Sequence, residues 1–276
     1  MTPRQTRGWK WAENKRNMTD VMSNSSGSGR LPPMTFDEAA GRVPFLRAIA
    51  PADRDRLRPY TEIREISAGE PVWKLDDPLH YFVFLVAGHI KMIRPCDNGR
   101  EVILDVTGPG DLLCVSAVSS FSPACCTAVA LHDDVVALFI PRRDVLHIVE
   151  QSPTAAGAFV RETTTRDMRL AGRIAELASG QVEQRVAALL LHLADQDGAV
   201  RQNGHIRIPL HLSRQDIADL CGTTLETAIR TMSRLSREEI VTTAAWGFVI
   251  NDRQRLERLA RGESRETPKT TTPDRP

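Results

Sequence analysis

No apolar run in this chain approaches the ~20 residues that a membrane-spanning helix needs. There is no excess of charge of either sign. The chain has 36 lysines and arginines against 35 acids, a formal net charge of +1 over 276 residues. Bulk charge therefore neither demands nor excludes a nucleic-acid partner, and any basic footprint has to be local. The five cysteines follow no regular framework and no signal peptide precedes them, which points to a reducing cytoplasm. No Ser-His-Asp, phosphate-loop or metal-hydrolase pattern stands out. A thiol peroxidase would need a cysteine at a helix start beside an arginine, and none is visible. The reading is therefore not an enzyme.

The informative stretch runs from Leu212 to Ile240. Ser213 followed by Asp216 is a helix-start signal, in which the hydroxyl caps free amides and the acid favours the positive helix end. Ile217, Ala218 and Leu220 make one short apolar face. Cys221-Gly222-Thr223 breaks the helix, with Gly222 suited to a turn of positive φ. Thr224 can cap a second helix, whose apolar positions Ala228, Ile229, Met232 and Leu235 fall at helical spacing. Glu226, Thr227, Arg230, Arg234 and Arg237 lie between them. Two short helices joined by a tight turn, the second exposing long polar side chains near its start, describe a helix-turn-helix. Arginine can bond two guanine acceptors and a carboxylate can accept from cytosine. Glu226 and Arg230, four apart, stand on one face and could also hold each other; the bland alternative is an ordinary surface salt bridge. Thr242 to Ile250 then reads as a β-hairpin wing with His205–Ile208 as partner strand, and a last helix starts at Asn251-Asp252.

At 276 residues there is room for two modest domains. Residues 1–34 have a linker composition at Asn24–Gly29, with six cationic side chains (Arg4, Arg7, Lys10, Lys15, Arg16, Arg30) against Glu13 and Asp20. One helical segment is expected from Phe36 to Ala50. Short strands follow to Ile140, alternating in hydropathy at Glu62–Ile66 and punctuated by Gly69, Gly88, Gly99 and Gly110. Asp97-Asn98-Gly99 is a hairpin signal. Many short strands with regular turns mean a small barrel or roll. A short helix over Pro141–Ile148 leads into a long one from Pro153 to Ala178. There Val160, Thr163 or Thr164, Asp167, Leu170 or Ala171, Ile174 and Leu177 fit a heptad seam with a polar middle. Gln181–Leu193 is amphipathic, and Asp195–Gly204 reads as a polar loop.

A β-roll, a long helix and a winged helix-turn-helix in this order resemble the Crp/Fnr superfamily of bacterial transcription regulators over residues 36–260. The resemblance is most specific at Ser213–Ala218, at Glu226-Thr227 with Arg230, at Gly99-Arg100-Glu101 and at Gly108–Leu112. It implies an α+β chain: a jelly-roll-like β-roll sensor domain over 35–150, a dimerisation helix over 151–180 and a winged helix-turn-helix over 181–261, while composition makes 1–34 a disordered basic tail and 262–276 a disordered tail. It also implies a cytoplasmic homodimer on palindromic double-stranded DNA, with RNA polymerase as a further partner and no membrane. Ser213, Arg214 and Gln215 would hold phosphates, and Thr224, Leu225, Glu226, Thr227 and Arg230 would face the groove. Leu225 stands where other members carry arginine and Ile229 where they carry serine, so a TGA-like half-site core with altered outer bases is expected.

The sensor pocket departs most from the family. Cyclic-nucleotide binders of the family place Gly-Glu after the Gly-Asp pair, for the ribose, and Arg-Ser later, for the phosphate. Here Gly110-Asp111 is kept, but those positions read Cys114-Val115 and Cys125-Cys126. A phosphate buried without its arginine costs several kcal/mol, so cyclic AMP is not the expected effector. Iron–sulfur sensors of the family carry cysteines ahead of the roll, and residues 1–50 have none. A carbon-monoxide sensor of the family shares Gly-Asp-x-x-Cys, but Ser116 replaces its haem histidine; His80 or His89 would have to substitute. The expected pocket residues are Cys114, Val115, Cys125 and Cys126. Adjacent cysteines on a strand point to opposite faces, so Cys114 with Cys125 is the expected couple for a thiol-bound metal, haem or a redox change. Cys96 and Cys221 read as structural. The function expected is a DNA-binding regulator that senses a small effector, redox state or gas. The alternatives are a β-roll module acting through protein partners, and a haem- or metal-dependent gas sensor of the same family.

Overall fold

The computed structural model describes residues 34–96, 101–113, 115–118, 123–131, 134–178, 180–197, 199–200 and 204–263. Residues 1–33 and 264–276 of the expected tails, the Asp97-Asn98-Gly99 turn and Cys114 lie outside these. The N-terminal helices are α1 (Phe36–Ala40), α2 (Pro44–Ala48) and α3 (Pro51–Leu57). The single segment expected over Phe36–Ala50 is thus divided. Val43 precedes a proline and is extended (φ −98°, ψ 114°), because Pro44 crowds the helical conformation of its neighbour.

Eight strands form the roll: β1 (Glu62–Ile66), β2 (Pro71–Trp73), β3 (Tyr81–Ala87), β4 (Ile90–Pro95), β5 (Glu101–Thr107), β6 (Leu112–Leu113), β7 (Thr127–Ala130) and β8 (Val135–Pro141). They make two four-stranded sheets, ordered β1-β8-β3-β6 and β2-β7-β4-β5, every recorded pair antiparallel. β4 and β5 pair up to Pro95↔Glu101, at the base of the expected hairpin. Between the sheets lie Val83, Leu85, Ile90, Leu113 and Ala137. The other side of β3 is covered by helices: Phe45 of α2 stacks on Phe84 at 5.4 Å, and Phe159 meets Phe82 edge-on at 5.5 Å.

Next come α4 (Arg142–Gln151), the 26-residue α5 (Pro153–Ala178) that carries Phe159, and α6 (Val182–Asp197). Residues 195–204 are not all loop: α6 continues to Asp197 and β9 (Ala199–Val200) pairs with β10 (Ile206–Ile208). The C-terminal unit is completed by α7 (Arg214–Leu220), α8 (Leu225–Arg237), β11 (Val241–Ala244), β12 (Gly247–Ile250) and α9 (Arg253–Ala260). Its sheet runs β11-β12-β10-β9. Gly247 has φ +142°, and a Cβ there would collide with Ile208 O, so this turn needs glycine. No helix among the described residues is long and apolar enough to cross a membrane.

Candidate nucleic-acid interface and effector pocket

The helix-turn-helix is set by its caps. Ser213 Oγ accepts from Asp216 N at 3.0 Å, and Asp216 Oδ2 accepts from Ser213 N at 3.0 Å and from Ser213 Oγ at 2.6 Å. This reciprocal capping box satisfies two free donors at the start of α7. Gly222 takes φ +57° in the turn. Thr224 caps α8 by accepting from Thr227 N at 3.3 Å, and the two threonine hydroxyls lie 2.9 Å apart.

The end of α7 is held by arginines from outside it. Arg173 of α5 donates to Leu220 O at 2.8 Å, and Arg185 of α6 donates to Cys221 O at 2.8 Å. Both cations meet the carbonyl end of α7, where the helix dipole favours them. Arg173 is buried, so the turn is tied directly to the long helix.

α8 buries Ala228, Thr231, Met232 and Leu235. Ile229, grouped with that apolar set by its spacing, is instead 45% exposed. Four-residue spacing alone does not distinguish the flank of a buried stripe from its centre. Glu226 and Arg230 are exposed and make no ion pair with each other, so neither mutual support nor the surface salt-bridge alternative holds. Among the described residues neither has any hydrogen bond or ion pair. Arg214 donates to the neutral Thr243 Oγ1 of β11 at 3.0 Å, and burial holds its guanidinium below the usual arginine range. Gln215 donates to Asp219 Oδ1 at 2.7 Å. The Ser213 hydroxyl is committed to Asp216.

A cavity of about 490 Å³ lies between the roll and α5. Its wall includes Met92, Asp105, Cys125, Cys126, Arg166 and Asp167. Cys125 and Cys126 sit in a bend, not on a strand, and their sulfurs are 3.9 Å apart. The expected opposite facing therefore fails, since it requires extended backbone. Val115 opens a short 3₁₀ turn, Val115–Val118. His80 and His89 do not line this cavity. No disulfide joins Cys96, Cys125, Cys126 and Cys221, and no group of three metal-ligating side chains gathers among the described residues. Cys221 is buried in the turn and Cys96 exposed.

Arg166 was not legible as a cavity residue. It donates to Leu112 O at 2.7 Å and to Met92 Sδ at 2.7 Å, fastening α5 to the roll. Arg169 adds a two-pronged bond to Asp111 at 2.8 and 3.2 Å. Asp105 is buried, and burial pushes its carboxyl up while the Arg166 guanidinium pulls it down. The recorded charges of the wall are thus two carboxyls against one guanidinium.

A family model for the cyclic nucleotide-binding domain matches residues 63–152, and one for the Crp-like helix-turn-helix domain matches residues 184–259. The chain is 26% identical over 227 residues to the CRP-like cAMP-activated global transcriptional regulator of Mycobacterium tuberculosis, covering 82% of this chain and 100% of that protein. It is 28% identical over 197 residues to the nitrogen fixation regulation protein FixK of Bradyrhizobium diazoefficiens, 70% and 80% of the two chains. The solved structure of FixK2 from Bradyrhizobium japonicum superposes with a TM-score of 0.63, at 24% identity, covering 72% of this chain and 96% of that one. A roll with a cavity against a long helix that is bonded in turn to a winged helix-turn-helix defines a DNA-binding transcription regulator with an effector-binding domain, not an enzyme. The chain belongs to the Crp/Fnr family, whose members are typically dimeric.

Proposed function

We propose that the chain acts as a homodimer paired along α5 and reads an inverted repeat. Thr224, Leu225, Glu226, Thr227 and Arg230 face the bases, and Ser213, Arg214 and Gln215 face phosphates. The observation that carries this reading is the exposed charge of α8: Glu226 and Arg230 have no partner of their own among the described residues. Arg214, partly desolvated and with the Thr243 hydroxyl as its only partner among the described residues, supports the phosphate role. Selection from random DNA should return inverted repeats with half-sites one helical turn apart, ~34 Å. Recovery of single half-sites bound by monomers would overturn the dimeric reading.

The signal is a small effector, a redox change or a gas, and not a cyclic nucleotide. The carbonyl and thioether already engage Arg166, and the two cavity carboxyls oppose an added phosphate. Micromolar binding of cyclic AMP or cyclic GMP in calorimetry would contradict this. The close sulfurs of Cys125 and Cys126 favour a thiol-based signal as a second reading. It is tested by the absorption spectrum and metal content of anaerobically purified protein. A further test compares DNA affinity, with and without oxidant, of the wild type and a Cys114→Ser, Cys125→Ser variant.

A further inference from the structure

Ten large apolar side chains are more than a third exposed among the described residues, and two of them stand together on α8. Leu225 is 43% exposed and Ile229 45%. They are four residues apart, so they form one stripe. Neither belongs to the hydrophobic core under the helix, which takes Ala228, Met232 and Leu235. At about 100° of rotation per residue, the exposed arc of α8 is divided. Leu225 and Ile229 make one edge, Glu226 and Arg230 the other, with Ser233 between them.

The major groove offers one apolar group on a base edge, the 5-methyl of thymine. We propose that Leu225 and Ile229 are specificity-determining residues that pack against thymine 5-methyl groups in each half-site. Those thymines flank, on one side only, the base pairs read by Glu226 and Arg230. A cytosine at the same place would present an amino donor to side chains that accept nothing, and it would be desolvated without a partner. Residues four apart on a helix are separated by about 5–6 Å, so the two side chains cover thymines one or two base steps apart. This inference rests on the DNA-reading role of α8 given above.

The test alters the DNA first, so that the protein fold is untouched. In the selected site each thymine is replaced singly by uracil, which removes the methyl and keeps the base pairing. Fluorescence anisotropy at fixed salt then reads the affinity. At one or two thymines per half-site the loss should be about four-fold per methyl, with no change elsewhere. With the Leu225→Ala, Ile229→Ala protein the uracil penalty should vanish at those thymines, and with Arg230→Ala protein it should persist. Uracil tolerated at every position, or an undiminished penalty with the double variant, would overturn the proposal while leaving DNA binding intact. A protein that binds no DNA sequence selectively would overturn both this proposal and the reading of α8 on which it rests.

Discussion

Lys91 Nζ on β4 lies 2.9 Å from Asp216 Oδ1 on α7, so one carboxylate serves both the capping box of the DNA-reading unit and an ion pair to the roll. Asp216 is nearly buried and Lys91 is about three-quarters covered. Around them Ile103, Val106 and Leu131 of the roll join the same hydrophobic cluster as Ile217 and Leu220 of α7. The two units therefore share apolar surface as well as a charge.

Removing the lysine takes a cationic partner away from a nearly buried carboxylate. Lys91→Ala should destabilise the protein by about 1–2 kcal/mol, less than for a fully buried pair because the lysine retains some solvent contact. Denaturant unfolding measures this. An unchanged midpoint would mean that solvent already screens the pair and that it does not join the units.

Arg230 and Arg214 should separate specificity from affinity. Arg230→Ala should cost about 1–3 kcal/mol on the selected site and relax discrimination at one base pair per half-site. Arg214→Ala should weaken all sequences alike and lower the salt dependence, since each lost phosphate contact removes about 0.9 from the slope of log affinity against log salt. Identical behaviour of the two variants in salt-titrated binding would remove the division into base reader and phosphate anchor.

Asp105 makes stability depend on pH in a predictable sense. Burial raises its carboxyl above the ordinary range, with Arg166 pulling the other way, so the folded state holds this proton more tightly than the unfolded chain. The resulting stability is complete below about pH 4 and is lost as pH rises through the folded value. Asp105→Asn keeps the shape without the charge. It should melt a few degrees above wild type at pH 7, and the gap should close near pH 4. A gap of equal size at both pH values would assign the effect to shape rather than ionisation.

What was legible in the sequence is what local chemistry decides. The caps at Ser213 and Thr224 and the break at Gly222 are each set by neighbours within four residues or by backbone conformation. The strand rhythm of β1 and the pairing of β4 with β5 are similarly local. The bend at Cys125-Cys126 is not. It is fixed by Trp73 Nε1 donating to Cys126 O at 3.0 Å and by Arg94 donating to Cys125 O at 3.1 Å, residues 53 and 31 positions away. Arg166 in the cavity wall and Lys91 beside Asp216 are likewise products of tertiary packing, invisible to spacing. Ile229 was misplaced because its apolar character fits a core pattern whose centre lies elsewhere on the helix.

The seam of α5 provides the last prediction. Of the alternatives left open by spacing, Thr164 and Ala171 are exposed, while Thr163 and Leu170 are partly covered; Thr163, Thr164, Asp167 and Leu170 all line the cavity against the roll. The exposed stripe is thus Val160, Thr164, Asp167, Ala171 and Ile174, alternating in steps of four and three as a heptad seam requires, and the expected Leu177 after it is also exposed. Val160 and Ile174 are 60% and 68% exposed, a cost that a second helix would remove. Asp167 lies between them, and in a parallel pair it would face its own copy across the seam. Ile174→Asp should therefore dissociate the dimer, whereas Asp167→Ala should tighten it by removing two like charges. Sedimentation velocity across a concentration series reads both. DNA affinity should follow in the same order, because a monomer engages only half of an inverted repeat. An Ile174→Asp protein that still sediments as a dimer would place the interface on another face of α5. A weaker Asp167→Ala dimer would mean that the carboxylate has a partner across the seam.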